Sequence, residues 1–578
     1  MPPADSSSRQ PSPSPFRQIL RWAFLIGGAI ITFLVGYVWL QRLTSGMQPS
    51  TAAEEIWFLL GSLTALAFVA WLLSGLMRRI IRRPRLAGWL LSWRILRRVL
   101  LAVACFITLV AGFYTVENWR GRSAWEQCKR ELEAKGETLN WEAFIPPPVP
   151  DEQNFFKAPG MTAWFNRRAR GTNQNVRIYS VTPALSLMAS TRGILDELRS
   201  LPEKPAASDA ATSAVSRAGL RAAFAEYEPE YRRLADACQR PKSRLADDYN
   251  SPFELHIPNF VNGREVAQTL SVHAGLNLLD SRPDVALQDL VMMRRVGEVM
   301  DDSHTLVGTM IHVAILGVYI QTARDAFEAG LWQEPQMAAL QHQTREVDLL
   351  ASLARSWRYA ERVGVIRVLD RPPAERAKAF AAARSPGGSN ARGGIDWHPL
   401  FTRIKLELCP RGWILQNQAA LCRFNQAFLD SLEVSGRRIH SARLNTLNDR
   451  WRDLSPRRPY TFLATLAMPN FSRALQYLAR TQTQVDQLHL ACALERYRLT
   501  HGSYPEKLDA LMPALLDHVP KDLFSDGPLK YHRDDQGGYL LWSVGWDEKD
   551  DGGVQSLGKD GKAAYDASPG DWVWQHIP

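Results

Sequence analysis

Three uninterrupted apolar runs near the start of the chain limit what it can fold into: "WAFLIGGAIITFLVGYVWL" (Trp22–Leu40), "IWFLLGSLTALAFVAWLLSGLM" (Ile56–Met77) and "VLLAVACFITLVAGFYTV" (Val99–Val116). Each has the roughly 18–22 residues that carry a helix across about 30 Å of hydrocarbon, where a helix satisfies its own backbone groups. They predict a three-span anchor over residues 17–118. Before it, "MPPADSSSRQPSPSPF" (1–16) is too rich in Pro and Ser to bury a core and reads as a disordered cytoplasmic tail.

Charge orients the anchor. The chain carries a net +10, but residues 1–98 hold twelve arginines, no lysine and three acids, so nearly all the excess sits at the membrane end. That placement argues against a nucleic-acid partner and for the lipid bilayer. Arg9, Arg17 and Arg21 precede the first run, and eight arginines from Arg78 to Arg98 separate the second from the third. Between the first and second runs only Arg42 stands against Glu54 and Glu55. The positive-inside rule then puts the N-terminus in the cytoplasm and residues 119–578 outside, in the periplasm if the membrane is a bacterial inner membrane.

Beyond the anchor the pattern is mostly α. "WEQCKRELEAKGETLNW" reads as a short helix leaving the bilayer, and "FIPPPVPDEQNF" (Phe144–Phe155) as a stiff extended stretch, because each proline fixes its own backbone and restrains its predecessor. Residues 119–184 form the connector. An irregular helical domain follows over 185–470, with a helical hairpin turning at Asp280–Asp284, where Pro283 suits a first helical turn. "TLVGTMIHVAILGVYI" (Thr305–Ile320) holds His312 and is short for a fourth span, so it reads as the buried central helix of this domain. Residues 370–397 read as a loop, and the glycines of "SPGGSNARGG" lack the strand and the Gly-Lys-Ser/Thr that phosphate binding needs.

Cysteines show no CxxC pair and no zinc spacing. One disulfide, such as Cys128 with Cys238, is open to a domain outside the membrane, whereas Cys492 sits among apolar helix residues as a buried thiol. No HExxH, GxSxG or Walker A motif occurs. His304 and His312 read as core histidines with satisfied rings, and Arg355, Arg358 and Arg362 as a helical face turned to water.

Residues 471–578 form a separate module. A long amphipathic helix, with Leu475, Leu478, Val485, Leu488, Ala491, Leu494 and Tyr497 on one face, runs from Phe471 to the His501–Gly502 stop. A short helix in "LDALMPALL" comes next, then two strands around the Asp534–Gly538 turn. The segment closes on "YLLWSVGWDEKDDGG" and "GDWVW", which crowd Asp547, Glu548, Asp550 and Asp551 into one turn, where like charges repel unless something compensates them.

Together "ALERYRLTHGSYPEKLDAL", "VPKDLFSDGPLKY", "YLLWSVGWDEKDDGG" and "GDWVW" resemble the globular head of the major pseudopilin of type II secretion systems. The resemblance implies a small α+β fold with an antiparallel sheet and a C-terminal calcium loop. Asp547 would be the first ligand, Asp550 and Asp551 second ligands, Asp571 would reach back, and the Val544 carbonyl would contribute, since calcium takes six to eight oxygens. None of the three apolar runs carries a prepilin-peptidase site, so assembly into a pilus-like fibre does not follow. Upstream, "LNWEAFIPPPVPDEQNF", "LQDLVMMRRVGEVM" and "IHVAILGVYI" resemble a family of large membrane-anchored proteins of planctomycete and verrucomicrobial bacteria, which implies architecture and no particular activity.

The expected function is that of a non-enzymatic envelope protein, structural or interaction-forming, with a calcium-stabilised head. The alternative is an envelope hydrolase with its site in the helical domain. A transporter is disfavoured because the three runs contain no acidic residue.

Overall fold

The computed structural model describes residues 93–165, 193–204, 216–245, 260–373, 375, 376, 379, 409–453, 458–467, 471–555 and 570–576. The runs Trp22–Leu40 and Ile56–Met77, the tail 1–16 and most of the predicted loop 370–397 lie outside these residues. The chain forms two compact units, Met1–Phe113 and Tyr114–Pro578.

Fifteen α-helices are described: α1 (Trp93–Glu133), α2 (Met161–Phe165), α3 (Ile194–Ser200), α4 (Arg217–Glu226), α5 (Glu228–Cys238), α6 (Phe260–Leu279), α7 (Pro283–Asp301), α8 (Leu306–Glu328), α9 (Glu334–Arg345), α10 (Leu349–Ser356), α11 (Val365–Leu369), α12 (Arg411–Asp430), α13 (Ser441–Arg452), α14 (Phe462–Ala467) and α15 (Phe471–His501). A π-helical turn, Trp357–Gly364, joins α10 to α11. The strands are few and antiparallel: β1 (Leu432–Glu433) with β2 (Arg438–Ile439), and a three-stranded sheet in the order β3 (Lys530–Arg533), β4 (Tyr539–Ser543), β5 (Trp572–His576).

Two described segments, Leu100–Glu133 and Leu306–Glu328, are helices long and apolar enough to cross a membrane. Their surroundings separate them. In the most apolar stretch of the first only 6% is buried, against 67% in the second. Leu100, Leu101, Phe106, Ile107, Leu109 and Phe113 all face outward along α1, whereas Val313, Ile315, Leu316, Tyr319 and Ala323 of α8 lie in the main core. The reading of Thr305–Ile320 as a central core helix therefore agrees with its packing. The segment after the third apolar run is no separate helix: α1 continues unbroken to Glu133, since nothing between Val116 and Glu133 is a proline or a capping glycine.

Within the second unit, α6 and α7 pack as the predicted hairpin, with α8 against both. The proline-rich stretch is less extended than expected. Its end folds into two 3₁₀ turns, Asp151–Gln153 and Phe155–Lys157. Asn154 fixes them by accepting from the Phe156 amide (3.2 Å) and the Arg244 amide (3.0 Å) and donating to the Arg244 carbonyl (2.9 Å). That brace drives Phe155 and Phe156 into the core, where burial of each side chain contributes about 1.5–3 kcal/mol.

The boundary at residue 471 is not a packing boundary, because one hydrophobic cluster runs from Phe155 to Trp574. The long helix α15 explains this. Between Thr481 and Leu494 it is buried almost all round, with α9, α8 and α10 on one side and β4 and β5 on the other. Gln482 accepts from the Leu349 amide (2.8 Å), and Gln487 donates to the Trp572 carbonyl (2.8 Å), tying α15 to both sides. "LDALMPALL" forms a single 3₁₀ turn, Leu508–Leu511, rather than a helix, because Pro513 follows at once and cannot continue one.

Candidate functional site

The acidic loop hangs from a three-stranded frame. The β3–β4 hairpin pairs Tyr531 with Leu541, and β5 pairs Trp574 with Leu541 and Trp572 with Ser543. Alternation buries Tyr539, Leu541 and Ser543 on one face of β4. Below the loop, the buried Asp522 carboxylate accepts from Ser543 Oγ (2.7 Å), the Val544 amide (2.9 Å) and the Phe524 amide (3.1 Å). Burial pushes its carboxyl above the usual range against those three bonds. Asp522→Ala leaves buried donors unsatisfied and should cost about 1–3 kcal/mol in chemical denaturation, with Asp522→Asn losing less.

The chain leaves β4 through Gly545, whose φ of +70° brings the backbone so near Gly570 that a Cβ would stand 2.7 Å from its carbonyl oxygen. Each acidic group of the turn then meets a different partner. Asp547 Oδ1 accepts from the Lys549 amide (3.3 Å), while its Oδ2 is buried without a hydrogen-bond partner among the described residues. Glu548 reaches the N-terminus of α13, accepting from the Ser441 amide (2.8 Å) and Oγ (2.7 Å), where the helix dipole favours an anion. Asp550 accepts from the Trp542 indole (2.9 Å) and the Gly552 amide (3.1 Å), and lies 3.6 Å from Lys530 Nζ. The indole bond leads the forces that hold its carboxyl below the usual range. Asp571, 1% exposed, reaches back to the loop backbone, accepting from the Asp551 amide (3.3 Å) and the Gly553 amide (2.6 Å). The Asp551 side chain is exposed.

Asp547, Asp550 and Asp551 lie in one turn, and Asp571, just before β5, returns to it through the Asp551 and Gly553 amides. Among the described residues no group of three or more His, Cys, Asp or Glu side chains is placed to hold a metal ion. Amides, an indole and a helix N-terminus meet part of this charge, while Asp547 Oδ2 keeps no hydrogen-bond partner among the described residues.

The helical region corrects two expectations. Of Arg355, Arg358 and Arg362, expected to face water, Arg355 and Arg358 are partly exposed and Arg362 is not. Arg362 is fully buried and binds Glu137 and Gln426 Oε1 (2.9 Å), Arg358 Nε stands 3.0 Å from both Glu137 oxygens, and Arg355 pairs with the buried Asp301 at 2.7 Å. Arg358 and Arg362 stand four residues apart on one side of the π-helical turn and share the Glu137 carboxylate. His312 is buried but not satisfied: neither ring nitrogen has a hydrogen-bond partner among the described residues, and burial pushes its pKa down, holding the ring neutral. His304 takes φ +51° at the turn before α8, packs edge-on against Tyr359 (5.9 Å), and is pushed down to about 4 by burial. Glu361 is pushed up to about 7 by burial, against a bond from the Leu306 amide.

Sequence reasoning missed a further pair. His273 Nδ1 lies 2.8 Å from Asp289 Oδ2, and Tyr231 donates to Asp289 Oδ1 (2.8 Å). The three come from α6, α7 and α5, and residues 16 and 58 apart in sequence give no spacing signal. Phe224 and Tyr231 flank the imidazole, with ring centroids at 4.7 and 4.9 Å. They also line a small apolar hollow with Val266, Thr269 and Leu270.

No family model, curated protein or solved structure matches the chain.

Proposed function

We propose that this chain is a membrane-anchored envelope protein that presents its second unit outside the membrane as an interaction or structural module. The supporting observation is α1. One continuous helix carries an outward apolar surface through Phe113 and then buries Glu117, Cys128 and Leu132 in the fold of the second unit. A helix that is apolar and uncovered over the length of a bilayer and packed beyond it is the form of an anchor that leads into a domain. Alkaline carbonate extraction tests this: the full chain stays with the membrane pellet until detergent is added, and its release by carbonate alone overturns the reading.

A calcium-stabilised, pseudopilin-like head is the finer part of the proposal. Its support is a single atom, the buried Asp547 Oδ2, which has no hydrogen-bond partner among the described residues. Binding only to the folded state raises the unfolding midpoint. The full chain in detergent should therefore gain stability with calcium over chelator, and Asp547→Ala should abolish the gain. The absence of any shift leaves a loop closed by its own amides.

The hydrolase reading rests on the His273–Asp289–Tyr231 constellation. A buried carboxylate on Nδ1 orients an imidazole so that Nε2 is its proton acceptor, and the His273 side chain is 17% exposed. On that reading, His273→Gln abolishes hydrolysis of an envelope polymer by the full chain, well beyond any loss of folded protein.

A further inference from the structure

The cysteine pairing that the fold sets up joins parts of the chain remote in sequence. Helices α1 and α12 lie side by side and run in the same direction. Their contacts climb in step: Glu117 accepts from the Trp413 indole (2.9 Å), Asn118 Oδ1 from the Gly412 amide (2.8 Å), Glu131 pairs with Arg423 (2.9 Å), and Lys135, just past α1, bonds Asp430 (2.5 Å). Midway along this seam Cys128 and Cys422 meet. Both are 0% exposed, and both belong to one small buried cluster with Leu132, Ile366 and Ala419. Cys128 Sγ also lies 3.7 Å from the Ala419 carbonyl oxygen, one turn before Cys422. By contrast Cys238, the partner suggested by sequence, ends α5 and packs against the main cluster instead.

We infer that Cys128 and Cys422 are a disulfide-forming pair that staples the membrane-proximal helix α1 to α12. Oxidation removes two protons and two electrons from the thiols, and a small disulfide such as glutathione disulfide accepts them. The Cys128 thiolate attacks one sulfur of the oxidant and expels a glutathione thiolate. Cys422, deprotonated, then attacks Cys128 in the mixed disulfide and expels the second. Because both sulfurs are buried, exchange takes place while the two helices are still open. Among the two thiols, the Cys422 side chain leads the forces that lower the Cys128 pKa, against burial, which fits Cys128 as the attacking group. That the bond forms in the cell rests on the outward placement proposed above, since such compartments are oxidising. The pairing itself does not rest on it.

The test maps disulfides in the full chain by peptide mass spectrometry after thiol blocking, once as isolated from membranes and once after refolding into detergent with glutathione disulfide. A Cys128–Cys422 linked peptide in both samples supports the pair and its oxidation in the cell. The link after refolding alone supports the pair and contradicts the outward placement. Free Cys128 and Cys422 in the refolded sample, or Cys128 linked to Cys238 or Cys409, overturns it. Cys422→Ser should leave Cys128 alkylatable after unfolding, and if that variant does not fold, Cys422→Ala serves the same purpose. Reduction of the linked protein should lower its unfolding midpoint by about 4 °C.

Discussion

Replacing Glu137 with alanine lowers the stability of the folded unit by about 3–5 kcal/mol, because it strands a guanidinium that has no access to water. Arg362 is 0% exposed and the Glu137 side chain 10%, and Arg358 shares the same carboxylate. Water cannot replace the lost partner at Arg362. The midpoint in denaturant should fall with little change in slope. Adding Arg362→Met should recover much of the loss, since removing both charges leaves an apolar site where removing one leaves a bare cation. The pH dependence has a definite sign. Burial raises the Glu137 pKa, but the hydrogen bonds and charges of Arg362 and Arg358 outweigh it, and the folded carboxyl sits below the usual range. A depressed folded pKa contributes stability above the unfolded value of about 4.3, lost as pH falls through the lower folded value. Wild type should therefore lose this increment on acidification below about pH 4.5, and Glu137→Ala should show a flatter acid limb.

Gly412→Ala should destabilise the fold by about 3 kcal/mol, a large effect for one methyl group. A Cβ at Gly412 would stand 1.9 Å from the Glu117 carbonyl oxygen, and one at Gly121 would stand 2.2 Å from the Gly412 carbonyl oxygen. The obstacles are backbone on both sides, so no rotamer relieves them and α1 must part from α12. Separation would also strain the Asn118 bond to the Gly412 amide and the Glu117 bond to the Trp413 indole. Gly112, on α1 with nothing within 4 Å of its Cβ position, is the control: alanine there should be neutral or stabilising by up to about 1 kcal/mol. Equal losses at the two glycines would contradict the close helix contact.

These effects concern what the sequence conceals. Periodicity and turn chemistry made the long helix Phe471–His501, the hairpin around Asp534–Gly538 and the α6–α7 hairpin legible, since all three depend on local pattern. The same pattern misled at α15, where one apolar face was expected and the polar residues Thr481, Gln482, Thr483 and Gln487 are buried as well. They bond backbone of the helix itself or of neighbouring elements, a role no helical-face count anticipates. The burial of Arg362 was hidden for a different reason: its partner Glu137 lies more than two hundred residues away in sequence. In the acidic loop the amides that serve Asp571 and the helix end that serves Glu548 are set by tertiary contacts, which no local pattern announces.

The outward placement of the second unit is tested most directly by accessibility. Asp535 sits exposed at the tip of the β3–β4 turn, and Asp535→Cys should report which side of the membrane it occupies. A membrane-impermeant maleimide applied to intact spheroplasts should label this variant, and not its parent, without lysis. Labelling that appears only after the membrane is broken would put the unit in the cytoplasm and contradict the account.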